Sequence, residues 1–216
     1  MKNPILLAIS ASLLAGTALA GSPETLVYQA PPQVVATAAT TDWSGFYAGG
    51  MVSFNGTAND LSTYDSDVFQ FIAPITGNTS VGGFVGYDFQ FGSFVLGGEF
   101  AVTSRSVSFT AFPNQYFGPV TDLKMRAGYS FGKIMAYGVV GASFSTLADY
   151  GDSPMLVEFK TSGLNYGVGV EYFVHEKMFV GAEFLARNLS GNRESLPLFS
   201  ISTTIQSAQL RVGWKF

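Results

Sequence analysis

Ten charged residues stand at alternate positions of segments whose other positions are mostly apolar. The run LKMRA at 123–127 shows the pattern, with one methionine between Lys124 and Arg126. In an extended strand this alternation places the charges on one face and the apolar residues on the other. The ten charged residues are Asp88, Glu99, Asp122, Lys124, Arg126, Glu171, Glu183, Arg187, Arg211 and Lys215.

Both signs of charge occur in this set, so its members can form ion pairs. Charges enclosed by protein must be paired or hydrated. We predict a network in which Arg126 bridges Glu99 and Arg211 bridges Glu183, with Glu171 nearby. Such a network can act as a static polar plug or as a switchable gate for ions, and we favour the plug.

Catalytic and metal-dependent chemistry has little support in the sequence. A lipid hydrolase or acyltransferase needs a base beside a nucleophile, and the single histidine, His175, lies in a short polar turn. Asp60, Asp65 and Asp67 lack the spacing and central glycine of a calcium loop, which favours a solvated acidic loop. We expect no enzymatic activity, no metal site and no cofactor.

The elements that must position the charged residues are strands. Period-2 alternation recurs in eight segments of about ten residues, the length that a tilted strand needs to cross a bilayer. In the fifth segment both faces are apolar, so its register stays open. The segments are Phe46–Asn55, Ser80–Gln90, Phe94–Thr103, Asp122–Phe131, Ile134–Phe144, Gly163–Tyr172, Met178–Arg187 and Ser207–Phe216.

Short and long connections alternate strictly between these segments. Three short turns lie at 90–93, 132–133 and 175–177. Four long polar connections are expected at Gly56–Asn78, Ser104–Gly118, Ser145–Thr161 and Asn188–Thr203. Transmembrane barrels show this asymmetry, with tight periplasmic turns and larger extracellular loops. The sequence therefore predicts an all-β fold: an eight-stranded antiparallel up-and-down transmembrane barrel.

Composition favours a membrane barrel over a soluble sandwich. The 216-residue chain is 47% hydrophobic but only 12% charged, and it has no cysteine. No apolar run beyond residue 20 approaches the roughly 18 residues of a spanning helix. The net charge of −4 argues against nucleic-acid binding, which needs a basic surface. The apolar face would then meet lipid, and the charged, glycine-rich face would line the lumen.

Aromatic residues gather near the predicted short turns and at the ends of the outer segments. We expect them to form a girdle at the periplasmic membrane interface. The residues assigned to it are Trp43, Tyr47, Phe89, Phe91, Phe94, Phe131 and Phe179.

The amino terminus has the features of an exported protein. Residues 1–20 carry one basic residue, an apolar run and small residues before Gly21, which predicts a secretory signal peptide. Residues 21–41 are rich in proline and alanine and form a periplasmic linker, and the barrel is expected over 42–216.

Two motifs carry a resemblance to a known family. The run DWSGFYAGG at 42–50 resembles the opening of alphaproteobacterial porin-family proteins, also called outer-membrane immunogenic proteins, of the OmpA-like small-barrel group. The last strand, with Trp214 and Phe216, resembles the signal read by the barrel-assembly machinery. The resemblance implies a Gram-negative outer-membrane protein in contact with lipid, a surface antigen whose loops could meet a host or environmental ligand.

Two functions follow as expectations. The first is a structural, surface-exposed envelope barrel with a lumen plugged by charged residues. The alternative is a transport protein, either a narrow porin-like channel or a binder of a small ligand such as the haem that some relatives bind.

Overall fold

The computed structural model describes residues 41–57, 61–65, 70–105, 107–110, 115–149, 158–193 and 196–216. In this part of the chain no helix is long and apolar enough to cross a membrane. The regular elements are twelve β-strands: β1 Gly45–Thr57, β2 Leu61–Asp65, β3 Gln70–Gly77, β4 Thr79–Phe91, β5 Phe94–Arg105, β6 Val107–Phe109, β7 Gln115–Phe117, β8 Pro119–Phe131, β9 Ile134–Asp149, β10 Glu158–Phe173, β11 Met178–Arg193 and β12 Leu196–Lys215.

Eight of the strands form a closed antiparallel barrel, here called the main ring. Its order is β1-β4-β5-β8-β9-β10-β11-β12, and β12 pairs with β1 from Tyr47↔Lys215 to Thr57↔Ile205. Closure leaves no unpaired strand edge, which a barrel in hydrocarbon requires. The predicted eight-stranded antiparallel barrel is confirmed.

The three short turns lie where the sequence placed them. Gly92 and Gly132 have φ of 62° and 72°, a left-handed conformation that glycine adopts without steric cost. These turns join β4 to β5 and β8 to β9, while the third joins Phe173 to Met178. All three lie at one end of the main ring, which we call the turn end; the opposite end is the loop end.

The prediction of long polar loops at the loop end is wrong in part, because much of their sequence forms strands. Strands β9 to β12 continue past the predicted segments, so residues 188–193 and 196–203 pair with one another instead of forming a loop. Strands β2, β3, β6 and β7 lie within the first two connections. Backbone groups in these segments thus find partners in a sheet rather than in water.

These four short strands close the sheet a second time. β2 pairs with β12, β3 with β2, β6 with β3, β7 with β6, and β7 finally with β9. Together with the ends of β9, β10, β11 and β12 they form a second closed ring, here called the outer ring. Its interior holds buried apolar side chains: Val107, Phe117, Leu189, Ile201 and Ile205.

The alternation of buried and exposed residues also shows which face of the fifth predicted strand points into the lumen. In β9, Met135, Tyr137 and Val139 are buried inside the barrel, whereas Val140 and Phe144 are exposed on its outer surface. The odd-numbered positions therefore face the lumen, as they do in β1.

Candidate functional site

All ten predicted lumen charges are buried within the main ring. They comprise five carboxylates and five cations, so their formal charges cancel. Side chains alternate between the two faces of a strand, and each charged residue occupies an inward position, as do glycines and other lumen residues. The barrel interior is therefore the candidate site.

Glu99 and Glu183 form the centre of the charged network. Lys124 Nζ lies 2.7 Å from Glu99 Oε1 and 2.6 Å from Glu183 Oε1. Arg211 Nη1 lies 2.8 Å from Glu183 Oε2, and Arg211 Nη2 also donates to Glu99. These four residues belong to β5, β11, β8 and β12, so the network joins separate parts of the barrel wall.

Arg126 connects this centre to the turn end. Its nearest carboxylate is Glu171, at 2.7 Å from Nη2 to Oε2, while the predicted partner Glu99 lies at 3.4 Å and Asp88 also at 3.4 Å. Arg211 Nε lies 3.6 Å from Glu171 Oε1. The structure thus brings together the predicted Arg126–Glu99 and Arg211–Glu183 pairs, with Glu171 beside both arginines.

Two further pairs flank the network, and sequence reasoning did not assign them. Towards the loop end, Arg187 makes a bidentate contact with Asp122, at 2.6 Å from Nη2 to Oδ2 and 2.9 Å from Nε to Oδ1. Such bidentate arginine–carboxylate pairs are strong and directional. Towards the turn end, Lys215 Nζ lies 3.3 Å from Asp88 Oδ2.

Two tyrosines complete the network, and neither was assigned to it from the sequence. Tyr47 Oη donates to Glu99 at 3.0 Å, and Tyr137 Oη donates to Glu183 at 2.9 Å. The Arg126 guanidinium carbon lies 5.1 Å from the centroid of the Tyr47 ring and 4.2 Å from that of Tyr137, which are cation–π distances. Tyr47 could have been assigned to the network from the sequence, because it occupies an inward position of β1.

Three of the seven predicted girdle residues face the interior, which corrects that assignment. Trp43, Tyr47 and Phe179 are buried in an aromatic cluster at the turn end. Ring centroids lie 6.5 Å apart for Trp43–Phe179 and 6.0 Å apart for Tyr47–Phe179. The prediction used only the nearness of these residues to a turn. Tyr47 and Phe179 occupy inward positions of their strands and therefore cannot face the membrane. The other four members are exposed on the outer surface: Phe89, Phe91, Phe94 and Phe131.

The remaining predicted residues do not join the lumen network. Trp214 and Phe216 are exposed on the outer surface, and their role as an assembly signal stays a prediction. His175 is exposed in the third turn. Asp60 and Asp67 lie outside the described residues, as does the side chain of Asp65, and so does the signal peptide with all of the linker except Thr41. Among the described residues, no group of three or more acidic or histidine side chains could hold a metal ion.

The buried side chain of Gln209 has no hydrogen-bond partner among the described residues. Gln209 is 2% exposed, and neither its amide nitrogen nor its amide oxygen makes a hydrogen bond. It lies opposite Ser53 of β1 and Glu183 of β11, and the next inward residues on those strands are Met51 and Leu185. Gln209 therefore lies between polar lumen residues and the apolar side chains of Met51 and Leu185, and a buried unpaired amide is costly.

Comparisons with known proteins agree with the barrel fold. Residues 33–216 match the family model described as outer membrane protein beta-barrel domain. The fold is similar to the crystal structure of the outer membrane protein OprG from Pseudomonas aeruginosa, with a TM-score of 0.55, 13% identity, and coverage of 80% of this chain and 96% of OprG. It is also similar to the solid-state NMR structure of outer membrane protein AlkL in lipid bilayers, with a TM-score of 0.50, 13% identity, and coverage of 84% and 94%.

A comparison with curated protein sequences found no match. At 13% identity the two solved structures support the fold alone, whereas the family model spans most of the chain. The match indicates a protein of the Gram-negative outer membrane. The chain belongs to the family of outer-membrane proteins with this β-barrel domain.

Proposed function

We propose that the protein is a structural, surface-exposed barrel of the cell envelope whose lumen is closed by its charged network. One observation carries the proposal: ion pairs from β5, β8, β11 and β12 meet inside the barrel at 2.6–2.8 Å through Lys124, Glu183, Glu99 and Arg211. An eight-stranded barrel is only wide enough for side chains to fill its interior. Charged side chains packed across that width leave little room for a solute.

The connectivity of the network favours a static plug over a gate. Glu99 contacts Lys124, Arg126 and Arg211, so moving any one cation leaves the carboxylate held by the other two. Moving Glu99 itself would take one carboxylate from each of these three buried cations, and breaking a buried pair from one side costs about 3–5 kcal/mol. A gate needs two arrangements of similar energy, and this network supports one.

The loop end supports the surface role. The outer ring has buried apolar residues in its interior, so its described strands form an ordered structure that can present a fixed surface to a host or environmental ligand. The outward aromatic residues Phe89, Phe91, Phe94 and Phe131 suit a girdle at the periplasmic interface. The DWSGFYAGG run supports a place among alphaproteobacterial porin-family proteins, exported by residues 1–20 and assembled through Trp214 and Phe216.

A liposome-swelling assay tests the closed lumen. Proteoliposomes containing the purified protein are placed in isotonic solutions of small sugars, with protein-free liposomes and a general porin as controls. We expect no more swelling than in protein-free liposomes. Clear swelling would overturn the plugged barrel and favour the narrow-channel alternative.

Membrane fractionation and gel mobility test the location. Folded outer-membrane barrels migrate differently before and after boiling, and we expect this heat-dependent shift together with recovery in the outer-membrane fraction. A soluble protein of unchanged mobility would contradict the proposal.

A further inference from the structure

The motif DWSG at 42–45 forms a short arm at the turn-end mouth of the barrel. Ser44 N donates to Asp42 Oδ1 at 2.8 Å, an Asx turn that fixes the bend of the arm. Ser44 Oγ accepts from Gln90 N at 3.0 Å, and Trp43 N donates to Gln90 Oε1 at 2.6 Å. The arm is therefore attached to the first turn by backbone and side-chain hydrogen bonds.

The Trp43 side chain reaches across the mouth from this arm. It is 0% exposed, and its Nε1 donates to Gly132 O in the second turn at 3.0 Å. Its ring centroid lies 4.2 Å from that of Phe173 and 6.5 Å from that of Phe179, the residues that flank the third turn. The indole thus contacts the structures around the second and third turns, and the Trp43 backbone is bonded to the first.

The attachment of Trp43 differs from that of the other aromatic residues in the turn-end cluster. Tyr47, Phe173 and Phe179 are strand residues held by the ladder, whereas Trp43 precedes the first residue of β1, Gly45. Displacing Trp43 would break two of its own hydrogen bonds and its ring contacts but no strand pair. Gly45 has φ of 114°, a conformation that favours glycine, so the chain turns sharply where the arm joins the strand.

We propose that Trp43 is a removable stopper that seals the turn end of the lumen independently of the charged network. The inference rests on the closed lumen proposed above, and it assigns a role to each residue of the motif. Asp42 bends the arm, Ser44 docks it to Gln90, Gly45 provides the turn, and Trp43 fills the mouth.

Thiol accessibility tests the stopper directly because the native chain has no cysteine. The reporter is Ser130→Cys, a near-isosteric change at a side chain that is 7% exposed. Ser130 Oγ donates to the same Gly132 carbonyl that accepts from Trp43 Nε1, at 3.2 Å. The probe is a negatively charged, membrane-impermeant methanethiosulfonate. It is applied to the full chain in lipid nanodiscs, where the probe can reach both ends of the barrel from solution.

In the reporter background, Trp43→Ala should raise the labelling rate by about tenfold or more, because thiol reactivity follows exposure. Phe46→Ala is the matched control, since that ring is 66% exposed on the outer surface one residue inside β1, and it should leave the rate unchanged. Trp43→Phe keeps a ring but loses the Nε1–H donor and should give an intermediate rate. Equal rates for Trp43→Ala and Phe46→Ala in folded, heat-modifiable protein would overturn the stopper.

A third variant separates this inference from the proposed function. Glu99→Gln alters the charged network but leaves the Trp43 contacts in place, so the thiol introduced by Ser130→Cys should stay protected in that background. If Trp43→Ala exposes the thiol and also swells liposomes while the native protein does not, the stopper stands and the charged network is not the plug. Swelling by the native protein would overturn both. If no swelling occurs and Trp43→Ala does not expose the thiol, the plug stands and the stopper fails.

Discussion

In strands β11 and β12 the main ring and the outer ring follow the same alternation with opposite polarity. In the main-ring part of β12, Leu210 and Val212 are exposed while Arg211 between them is buried. In the outer-ring part of the same strand, Ile201 is buried and Ser202 is exposed. One strand therefore presents apolar residues to the outside at one end and to the inside at the other.

Strand β11 shows the same inversion. Phe184 is exposed and Glu183 is buried in the main ring, whereas Leu189 is buried and Ser190 is exposed in the outer ring. An apolar outer face suits lipid, and an apolar interior suits a protein surrounded by water. We infer that the change of polarity marks where the bilayer ends, between the charged lumen and the outer-ring core.

The largest effect is expected from the charged interior of the main ring. Glu99→Ala removes the carboxylate that contacts Lys124, Arg126 and Arg211, so it should lower the free energy of unfolding by about 3–5 kcal/mol. Urea unfolding in detergent micelles, followed by gel mobility, measures it. Glu176→Ala, at an exposed carboxylate in the third turn, is the control and should change stability by less than about 0.5 kcal/mol. Similar losses of unfolding free energy in both variants would show that the buried network stabilises the barrel no more than the exposed turn does.

A second prediction compares arginine substitutions at two outward-facing positions of β12, one in each ring. Leu210 is 58% exposed in the main ring, and Leu210→Arg should destabilise the folded barrel by about 2–4 kcal/mol if it lies near the bilayer midplane. Ser202→Arg, eight residues earlier on the same outward face, should fall within about 0.5 kcal/mol of the native protein. Unfolding from lipid vesicles measures both. Equal destabilisation would mean that the bilayer extends over the outer ring.

The smallest effect is expected at Gln209, whose buried amide lies between polar lumen residues and the apolar side chains of Met51 and Leu185. Because both amide atoms lack partners, Gln209→Leu removes a desolvation cost without breaking a hydrogen bond and should leave stability unchanged or raise it by up to about 1 kcal/mol. The same unfolding assay serves here. A loss of 2 kcal/mol or more, roughly the cost of an unsatisfied buried partner, would show that the amide has a role in the interior.

The main ring could be predicted from the sequence because each of its strands carries its own signal. Alternation located all eight strands and placed every predicted lumen charge on the inward face. The girdle residues Tyr47 and Phe179 were misplaced because their inward parity was not considered, whereas Trp43 precedes β1 and has no strand parity. Pairings such as Arg187 with Asp122 span 65 residues and depend on the tilt and register of several strands, which no local pattern contains.

The outer ring could not be predicted, and the reason is physical. β6 and β7 are three residues long, too short for period-2 alternation to stand out. β2 pairs with β12 through Ser200↔Asp65 and two neighbouring pairs, a contact between distant parts of the chain. Such strands are stabilised by the ladder they join rather than by their own sequence.

Single-channel recording in planar bilayers tests the closed lumen most directly. The native protein, Glu99→Ala and Arg126→Ala are compared at equal insertion, checked by heat-modifiability. We predict no conductance steps from any of the three, because Lys124–Glu183, Arg211–Glu183, the Trp43 arm and the outer-ring core still fill the interior of both variants. Larger or more frequent openings in either variant would show that the network is a gate and would contradict the plug.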